Sequence, residues 1–382
     1  MATILILGGG VGGLVAANEL RAALPREHRV VLVEREAAFV FAPSLLWLMT
    51  GDRAADKISR PLARLERKGI ELIRGEIQKI DADRREVVVD GRVIAGDYLV
   101  IALGAELAPE TIPGLAEAGH NFYTLAGAES LRDALARFTG GRLVVLTAAP
   151  AYKCPAAPYE AAMLLEHACR KRKLRDKTQL DLFAAEPGPM GVAGPDVSKG
   201  VRQMVEDKGI GYHPEHQVAE VDPVARRLKF KNGVEASYDL LAYVPPHRAP
   251  RVVREAGRLV VGELGRFSWW AIERRVRGLA GNATWRVAHF FSPHELQELL
   301  RTAGFADVVH RSAVFYPPIA CFARSGFADV IQHVGRRWFP MTGAFLVVRG
   351  AATEEDLRLE HRELTKRSHD FNRRVGSRCS RR

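Results

Sequence analysis

The chain has 382 residues, 47% of them hydrophobic, and a formal net charge of +11 at pH 7. A chain of this length predicts two or three domains with separate hydrophobic cores. Its four cysteines have no regular spacing, which excludes a disulfide framework or a zinc site and fits a reducing compartment. No apolar run of about 18 residues is present, so the sequence predicts no membrane-spanning helix.

The first predicted unit is a strand, a glycine turn and a helix within "TILILGGGVGGLVAANELRAAL". Its apolar start has no basic n-region, which indicates a strand and not a signal peptide. Gly8, Gly10 and Gly13 match G-x-G-x-x-G, in which the glycines permit the turn, the approach of a pyrophosphate and close helix packing. The next strand, "HRVVLVER", ends at Glu34, where such folds place a carboxylate that accepts from ribose hydroxyls. Together these features predict a dinucleotide-binding site.

The order of the following segments favours FAD over NAD. "FVFAPSLLWLMTGDR" and a predicted helix, "ISRPLARLERKG", precede a β-rich excursion that runs from "IELIRGEIQKIDADRREVVVDG" to "DYLVIALGAE". This layout is typical of FAD domains in flavoproteins with two dinucleotide folds, whereas simple NAD domains rarely carry such an insertion. We therefore predict an FAD-binding domain over residues 1–139. Its further cofactor-binding candidates are Arg35, Pro43, Ser44, Ile77, Ala102 and Gly104.

A second Rossmann-like α/β unit is predicted over residues 140–257, with helices at 158–173 and 195–208. Its first strand, "RLVVLTA", leads into "APAYKCPAAPYEAAMLLEH", which contains three prolines and Cys154 where phosphate-binding glycines are expected. A turn without that fingerprint predicts no NAD site, so electrons must come from another donor.

The thiol of Cys154 follows a strand, at the edge where such folds place ligands. It is the candidate nucleophile toward sulfide or persulfide, and Glu160, one helical turn later, is the candidate proton carrier. The alternatives are a small buried hydrophobe for Cys154 and a carboxylate that favours the helix dipole for Glu160. Cys169, on the apolar face of the same helix, is predicted to be a core residue.

Several of these stretches together resemble the sulfide:quinone oxidoreductase family, close to the flavocytochrome c sulfide dehydrogenases. The resemblance runs over about residues 1–257 and implies FAD, oxidation of sulfide to zero-valent sulfur, and a quinone as electron acceptor. On this resemblance, Cys154 and Glu160 match the family's redox cysteine and its nearby acid. The stretches are "GGGVGGL", "APSLLWLMTGDR", "ISRPL", "YLVIALGAEL", "FYTLAGAESLRDAL", "YKCPAAPYEAAMLLE" and "VPPHRAPRVVREAG".

The chain departs from that family in its cysteines and in its last third. Many members carry a further cysteine in the segment that here reads "HNFYTLAGAES". Their partner cysteine across the flavin, G-D motif, quinone pocket and amphipathic anchors have no counterpart that we find after residue 257. Cys321, in "PPIACFARSG", is predicted to be a packing residue and would replace that partner cysteine only by coincidence. One cysteine cannot form a bridging polysulfide, so we predict weak or no sulfide-to-quinone activity. The alternative is a vestigial, non-catalytic fusion that binds FAD weakly or not at all.

The last third predicts an atypical α/β segment, residues 258–352, followed by a basic polar tail, residues 353–382. Ser292 and Glu295 form a predicted capping box at the start of "SPHELQELLRTAGF". Residues 258–350 resemble the C-terminal part of class I S-adenosylmethionine-dependent methyltransferases, which implies a late sheet strand in "RLVVGEL" and a closing pair in "FADVVHR" and "AFLVVRG". That family's cofactor loop lies upstream in a part this chain lacks, so we predict no methyltransferase activity.

The sequence also bears on whether the chain binds a membrane, a nucleic acid or a metal ion. "FSWWAIERRVRGLAGNATWR" fits either an interfacial helix on an anionic membrane or an ordinary partly buried helix with an arginine face. No nucleic-acid recognition module is readable despite the positive charge, and no metal site is predicted. We expect sulfide or persulfide and a quinone as partners, and a cytoplasmic location, with peripheral contact to the cytoplasmic membrane as an open alternative.

Overall fold

The computed structural model describes residues 1–256, 258–264, 267–279, 292–302, 305–313, 334 and 345–352. The chain divides into two compact units, Met1–Pro250 and Arg251–Arg382. Cys321 and the predicted tail, residues 353–382, lie outside the described residues, and so does the end of the predicted interfacial helix. The predicted boundaries at 139 and 257 stay predictions.

The helices of the first unit are α1 Val11–Ala23, α2 Leu45–Met49, α3 Ala55–Ile58, α4 Leu115–Ala118, α5 Leu125–Arg137, α6 Ala157–Lys171 and α7 Pro195–Glu206. Its strands are β1 Thr3–Leu7, β2 Arg29–Glu34, β3 Ala38–Val40, β4 Ser59–Pro61, β5 Glu71–Arg74, β6 Ile77–Asp81, β7 Glu86–Val89, β8 Arg92–Ala95, β9 Tyr98–Ile101, β10 Glu106–Leu107, β11 His120–Asn121, β12 Gly141–Thr147, β13 Thr178–Phe183, β14 Gly211–His213, β15 Val218–Asp222, β16 Arg227–Phe230, β17 Glu235–Ser237, β18 Leu240–Val244 and β19 His247–Arg248.

The N-terminal sheet is parallel, with the strand order β5-β2-β1-β9. Leu5 of β1 pairs with Val31 on one side and Leu99 on the other. An inner strand of a parallel sheet is covered on both faces, and Leu5, Ile6 and Leu7 are accordingly fully buried. This explains why β1 reads as a continuous apolar run.

The β-rich excursion is confirmed as an antiparallel sheet with the order β6-β7-β8. The helix predicted in "ISRPLARLERKG" is wrong in its first half. Helix α3 ends at Ile58, β4 covers Ser59–Pro61, and a 3-10 helix covers Leu62–Lys68. Pro61 explains the difference, because proline disfavours the α conformation in the residue before it.

A second sheet, also parallel, has the order β11-β18-β12-β13-β14. Side chains alternate along β12, so Leu143 and Val145 pack with α2, α5, α6 and α7, and Val144 and Leu146 pack with β15 and β16. The chain therefore has the predicted α/β fold with two Rossmann-like halves. The two helices predicted in this half are confirmed as α6 and α7, each a little shorter than expected.

Parallel pairing brings the carboxyl ends of β12, β13 and β18 to one edge of the second sheet. The candidate functional residues of this half, described below, lie in the segments that follow these strands. Strand β11 belongs to this sheet although it precedes the boundary predicted at 139. A short antiparallel pair, β10 with β19, joins the segment after β9 to the segment after β18.

The second unit contains α8 Arg251–Glu255, β20 Arg258–Leu264, α9 Trp269–Leu279, α10 Pro293–Thr302, β21 Phe305–Ala313 and β22 Phe345–Ala352. The sheet is antiparallel with the order β20-β22-β21. The late strand and the closing pair predicted from the sequence are therefore present. The capping box is also confirmed, since Ser292 N–H donates to Glu295 Oε2 over 2.7 Å and Glu295 N–H donates to Ser292 Oγ over 3.2 Å.

Candidate functional site

The glycine loop between β1 and α1 has no room for side chains at two positions. Gly8 has a φ of +100°, and a Cβ there would lie 2.5 Å from the carbonyl oxygen of Ala102. A Cβ at Gly13 would lie 1.8 Å from the carbonyl oxygen of Gly8. The predicted roles of these two glycines in the turn and in helix packing are therefore explained by direct backbone contact.

Gly10 differs from its neighbours because it faces open space. A Cβ there would meet no atom within 4 Å, and Gly10 is the N-cap of α1. The helix has no side-chain cap and no acidic residue in its first turn, so its first N–H groups and its positive dipole end remain available to an anion. This cradle fits the pyrophosphate of a dinucleotide, and an added Cβ would fill it.

Glu34, at the end of β2, holds the glycine loop from the adjacent strand. Its Oε2 accepts from Gly9 N–H over 2.5 Å, and its Oε1 accepts from Glu36 N–H over 2.9 Å. A carboxylate has further lone pairs beyond these two bonds. The acid predicted to bind ribose therefore lies beside the pyrophosphate cradle, as the fingerprint requires.

The other predicted cofactor residues surround the loop to different degrees. Ala102 N–H donates to Leu7 O over 2.8 Å, which places Ala102 over Gly8, and Gly104 has a φ of +69° in the turn that follows. The exposed side chain of Arg35 forms ion pairs of 3.5 Å with Glu36 and Glu76.

Three further candidates lie near these elements along the chain. Ile77 begins β6, next to the Glu76 that pairs with Arg35. Pro43 and Ser44 belong to a 3-10 helix, Ala42–Ser44, that leads into α2. Their part in cofactor binding stays a prediction.

The corresponding turn of the second half, between β12 and α6, offers little to an anion. Helix α6 has Ala156 as its N-cap without a side-chain cap. The N–H of Ala157 donates to Cys154 O over 3.0 Å, and Pro158 has no N–H to offer. Two of the first N–H positions of this helix are thus engaged or absent, and Glu160 places an acidic residue in its first turn. Both features disfavour a phosphate, in agreement with the missing glycine fingerprint.

Cys154 lies in this turn with an exposed side chain and a φ of +59°. The exposure contradicts the alternative of a small buried hydrophobe. The left-handed conformation costs a residue other than glycine of the order of 1–2 kcal/mol, and such strain concentrates at functional sites. The hydroxyl of Tyr123 supports the turn by donating to Lys153 O over 2.9 Å and to Cys154 O over 3.3 Å.

Helix α6 carries two other residues that the sequence analysis singled out, and the role predicted for Glu160 stays a prediction. Glu160 is partly exposed in the first turn of α6, and no hydrogen bond among the described residues joins its carboxylate to the Cys154 thiol. Cys169 is buried, as predicted, and desolvation raises its pKa. Of Cys154 and Cys169, only Cys154 therefore presents its thiol to solvent.

A carboxylate that the sequence analysis missed lies next to the Cys154 turn. Glu186 follows β13 and accepts hydrogen bonds from three hydroxyl groups. Thr147 donates to Oε2 over 2.8 Å, Tyr159 donates to Oε1 over 2.7 Å, and Tyr152 also donates to Oε1. Burial first, and then the charge of Glu186, raises the pKa of Tyr152 and Tyr159, so both stay protonated donors. The signal was present in "DLFAAEPG", an acid after a second strand, as Glu34 is.

His247 was quoted within "VPPHRAP" but not singled out. Its Nδ1 lies 2.9 Å from Pro245 O, and its ring packs edge-on against Tyr123 with centroids 5.4 Å apart. Its Nε2 is buried and has no hydrogen-bond partner among the described residues. Burial lowers the pKa of this imidazole, and Lys153 adds to the effect. His247 lies in β19, which pairs with β10 in the segment after Gly104. Its ring contact with Tyr123 therefore links that segment to the Cys154 turn, which the Tyr123 hydroxyl supports.

A family model described as pyridine nucleotide-disulphide oxidoreductase matches residues 2–244. The chain belongs to this family. FAD is the cofactor of its sulfide-quinone reductase relatives and of this chain, and the cradle at Gly10 fits it.

Sulfide-quinone reductase of Aquifex aeolicus is 30% identical over 269 residues, which are 66% of this chain and 60% of that protein. The mitochondrial sulfide:quinone oxidoreductase of Dictyostelium discoideum is 25% identical over 268 residues, 66% of this chain and 58% of that protein. The chain thus spans about three fifths of the length of these relatives. The resemblance of residues 258–350 to methyltransferases stays a prediction.

The solved structures agree with this assignment of the fold. The X-ray structure of sulfide:quinone oxidoreductase from the hyperthermophilic bacterium Aquifex aeolicus superimposes with a TM-score of 0.61 at 28% identity. The match covers 67% of this chain and 61% of that one. A putidaredoxin reductase complex, 22% identical with a TM-score of 0.56 over 68% of this chain and 62% of that one, shows the fold alone.

The described residues also bear on two other kinds of site, a membrane-spanning helix and a metal centre. No helix among them is both long enough and apolar enough to cross a membrane. No group of three or more His, Cys, Asp and Glu side chains in the same residues is arranged to hold a metal ion.

Proposed function

We propose that the chain is a flavoprotein of the sulfide:quinone oxidoreductase type, in which Cys154 receives the sulfur of sulfide and FAD receives its electrons. One observation carries this proposal. An exposed thiol occupies a strained turn at the carboxyl edge of the second sheet, where a dinucleotide fold normally binds phosphate. The 30% identity to a sulfide-quinone reductase supports the same reaction class.

The chemistry assigned to Cys154 balances as a two-electron oxidation. The thiol and one hydrosulfide ion form a persulfide, so that the Sγ–S bond forms while one proton and two electrons leave. When bound, FAD supplies the two-electron acceptor, and a quinone takes the electrons onward. Glu160, partly exposed on the first turn of α6, carries the released proton to solvent.

A pyridine nucleotide does not fit the role of electron donor. The carboxylate after β13, where a nucleotide-binding half would take ribose hydroxyls, accepts protein hydroxyls from Thr147, Tyr152 and Tyr159. The turn before α6 has lost N–H donors to Pro158 and to the bond between Ala157 and Cys154. Sulfide therefore replaces nicotinamide as the reductant in this proposal.

Steady turnover is expected to be slow. Among the described residues only the Cys154 thiol is exposed to carry the sulfur, and no cysteine of the last third is recognised as the family's partner for a bridging polysulfide. We expect a cytoplasmic protein that binds its quinone during peripheral contact with the cytoplasmic membrane. The competing hypothesis is a vestigial fusion that binds FAD weakly or not at all.

The test begins with the visible spectrum of the purified full chain. Flavin bands that bleach when sulfide is added without air support the proposal, and Cys154→Ser should abolish the bleaching while keeping the bands. Cys169→Ser, at the buried cysteine of the following helix α6, is the matched control and should bleach normally. NADH should leave the bands unchanged.

A colourless protein, or bleaching that survives in Cys154→Ser, would contradict the proposal. A flavin that NADH reduces faster than sulfide would also overturn it, because the second half would then be a nucleotide site. Rapid quinone reduction by micromolar sulfide would contradict only the expectation of slow turnover.

A further inference from the structure

The turn that carries Cys154 is held from three directions by one carboxylate. Glu186 accepts from Thr147 at the end of β12, from Tyr152 two residues before Cys154, and from Tyr159 in the first turn of α6. Thr147 and Tyr159 are buried. The strand end before the turn, the turn itself and the helix after it are thus tied to a single group.

Backbone contacts extend this arrangement into the neighbouring strands. Thr147 Oγ1 accepts from Ala185 N–H over 2.8 Å while its own hydroxyl donates to Glu186. Glu186 O accepts from Glu215 N–H over 3.1 Å. The main chain at Ala185 and Glu186 is therefore held by Thr147 and by the segment after β14, in addition to the bonds that the Glu186 carboxylate makes with the Cys154 turn.

We propose that Glu186 is a positioning residue that holds Cys154 in its left-handed conformation through the hydroxyl of Tyr152. A turn with a φ of +59° at a residue other than glycine relaxes unless its surroundings over-determine it. The Tyr123 hydroxyl fixes the carbonyls of Lys153 and Cys154, and the bond from Tyr152 to Glu186 fixes the side just before them. The acid that would bind a nucleotide ribose in this fold binds protein hydroxyls here and so orients a thiol.

This inference deepens the function proposed above and rests on it for its consequence, but the position of the turn can be measured without sulfide. A trifluoromethyl thiol label on Cys154 reports the conformations of the turn by fluorine NMR. The label is placed on a full chain in which Cys169, Cys321 and Cys379 are replaced by alanine. The variants are Tyr152→Phe, Glu186→Ala and Glu186→Gln, and Tyr238→Phe is the matched control.

Tyr238 suits the control because it is buried in the same unit and its hydroxyl has no hydrogen-bond partner among the described residues. We expect one narrow resonance in the parent chain and in Tyr238→Phe, and split or broadened resonances in Tyr152→Phe and Glu186→Ala. Glu186→Gln keeps an acceptor oxygen and should restore the single resonance in part. The same single resonance in Tyr152→Phe would overturn the proposal, and this variant decides if Glu186→Ala does not fold.

The functional consequence is a split between rate and affinity. In Tyr152→Phe with all native cysteines present, the limiting rate of flavin reduction by sulfide should fall about tenfold, because reactions of this kind are sensitive to small displacements. The sulfide concentration at half the limiting rate should stay the same, and so should the rate at which iodoacetamide alkylates Cys154. A general loss of structure would change all three quantities, and a limiting rate within twofold of the parent would contradict the positioning role.

Failure of this inference and failure of the proposed function have different signatures. If sulfide does not reduce the flavin of the parent chain, the proposed function fails, while the fluorine spectra still show whether Glu186 holds the turn. If sulfide reduces the flavin and the spectra of Tyr152→Phe and the parent chain are the same, only the positioning role fails.

Discussion

A Cβ atom on Gly13 would lie 1.8 Å from the carbonyl oxygen of Gly8. Helix α1 and the turn before it are therefore in backbone contact, and no side chain can move aside to make room. Gly12, one residue earlier, would place its Cβ at an ordinary 3.7 Å from the Cβ of Ala102. Two adjacent glycines of one loop thus have opposite tolerance for alanine.

Gly13→Ala should lower the free energy of unfolding by about 3 kcal/mol, as overpacking against rigid backbone does. Gly12→Ala should raise it by about 0.5 kcal/mol, because alanine replaces glycine inside a helix. Urea unfolding of both variants checks this pair. Equal stability of the two would mean that the contact between Gly13 and Gly8 is not as tight as described.

Gly10→Ala should separate folding from flavin binding. No atom lies within 4 Å of the added Cβ, so the free energy of unfolding of the flavin-free variant should stay within about 0.5 kcal/mol of that of the flavin-free parent. The same methyl group would occupy the pyrophosphate cradle, so the purified variant should contain little FAD. The ratio of flavin to protein absorbance measures this, with Gly200→Ala, a helical glycine in open space within α7, as the control that should keep its flavin.

Cys154→Gly should be more stable than the parent and inactive. Glycine adopts a φ of +59° without the steric cost that cysteine carries there, so the free energy of unfolding should rise by about 1 kcal/mol. Cys154→Ser keeps the strain and should show no such gain, although it also loses the thiol. Thermal or urea unfolding of the two variants measures this difference. An increase in the free energy of unfolding of Cys154→Ser as large as that of Cys154→Gly would argue against backbone strain at this position.

The unfolding free energy of the first unit should fall as the pH drops below about 6.5. Burial lowers the pKa of both His120 and His247 in the folded chain, with Arg137 and Lys153 as the respective neighbouring cations. The unfolded chain then binds protons that the folded chain does not, so acid favours unfolding and the stabilisation is complete only above the unfolded pKa.

Urea titrations at about pH 7.5 and about pH 5.5 measure this loss around the ordinary histidine pKa. His120→Asn combined with His247→Gln should reduce the difference between the two pH values. An unchanged difference in that double variant would show that other groups cause the acid sensitivity.

The cofactor-binding half was predictable from the sequence because its decisive constraints act between near neighbours. The turn at Gly8 and the helix start at Gly10 follow from local backbone conformation, and the apolar run of β1 follows from burial on both faces of a parallel sheet. The capping box of Ser292 and Glu295 is equally local, and the structure confirms it. Pro61 was visible too, but its effect on the preceding helix was overlooked.

The surroundings of Cys154 were not predictable in the same way. Glu186 reaches Thr147 and Tyr152 across 39 and 34 residues of chain, and only the pairing of β13 with β12 brings them together. His247 and Tyr123 meet for a similar reason, because β18 and β11 lie side by side in the second sheet. No period or spacing in the sequence carries that information.

The sequence by itself determined that this chain has a dinucleotide loop at Gly8–Gly13, a second half without one, and a cysteine in its place. These follow from residue types whose conformational effects are local. The tertiary structure alone decided that the cysteine is exposed, that its backbone is left-handed, and that the acid after β13 binds the chain's own hydroxyls. Those outcomes depend on strand order, since the carboxyl ends of parallel strands bring together side chains that are distant in the sequence.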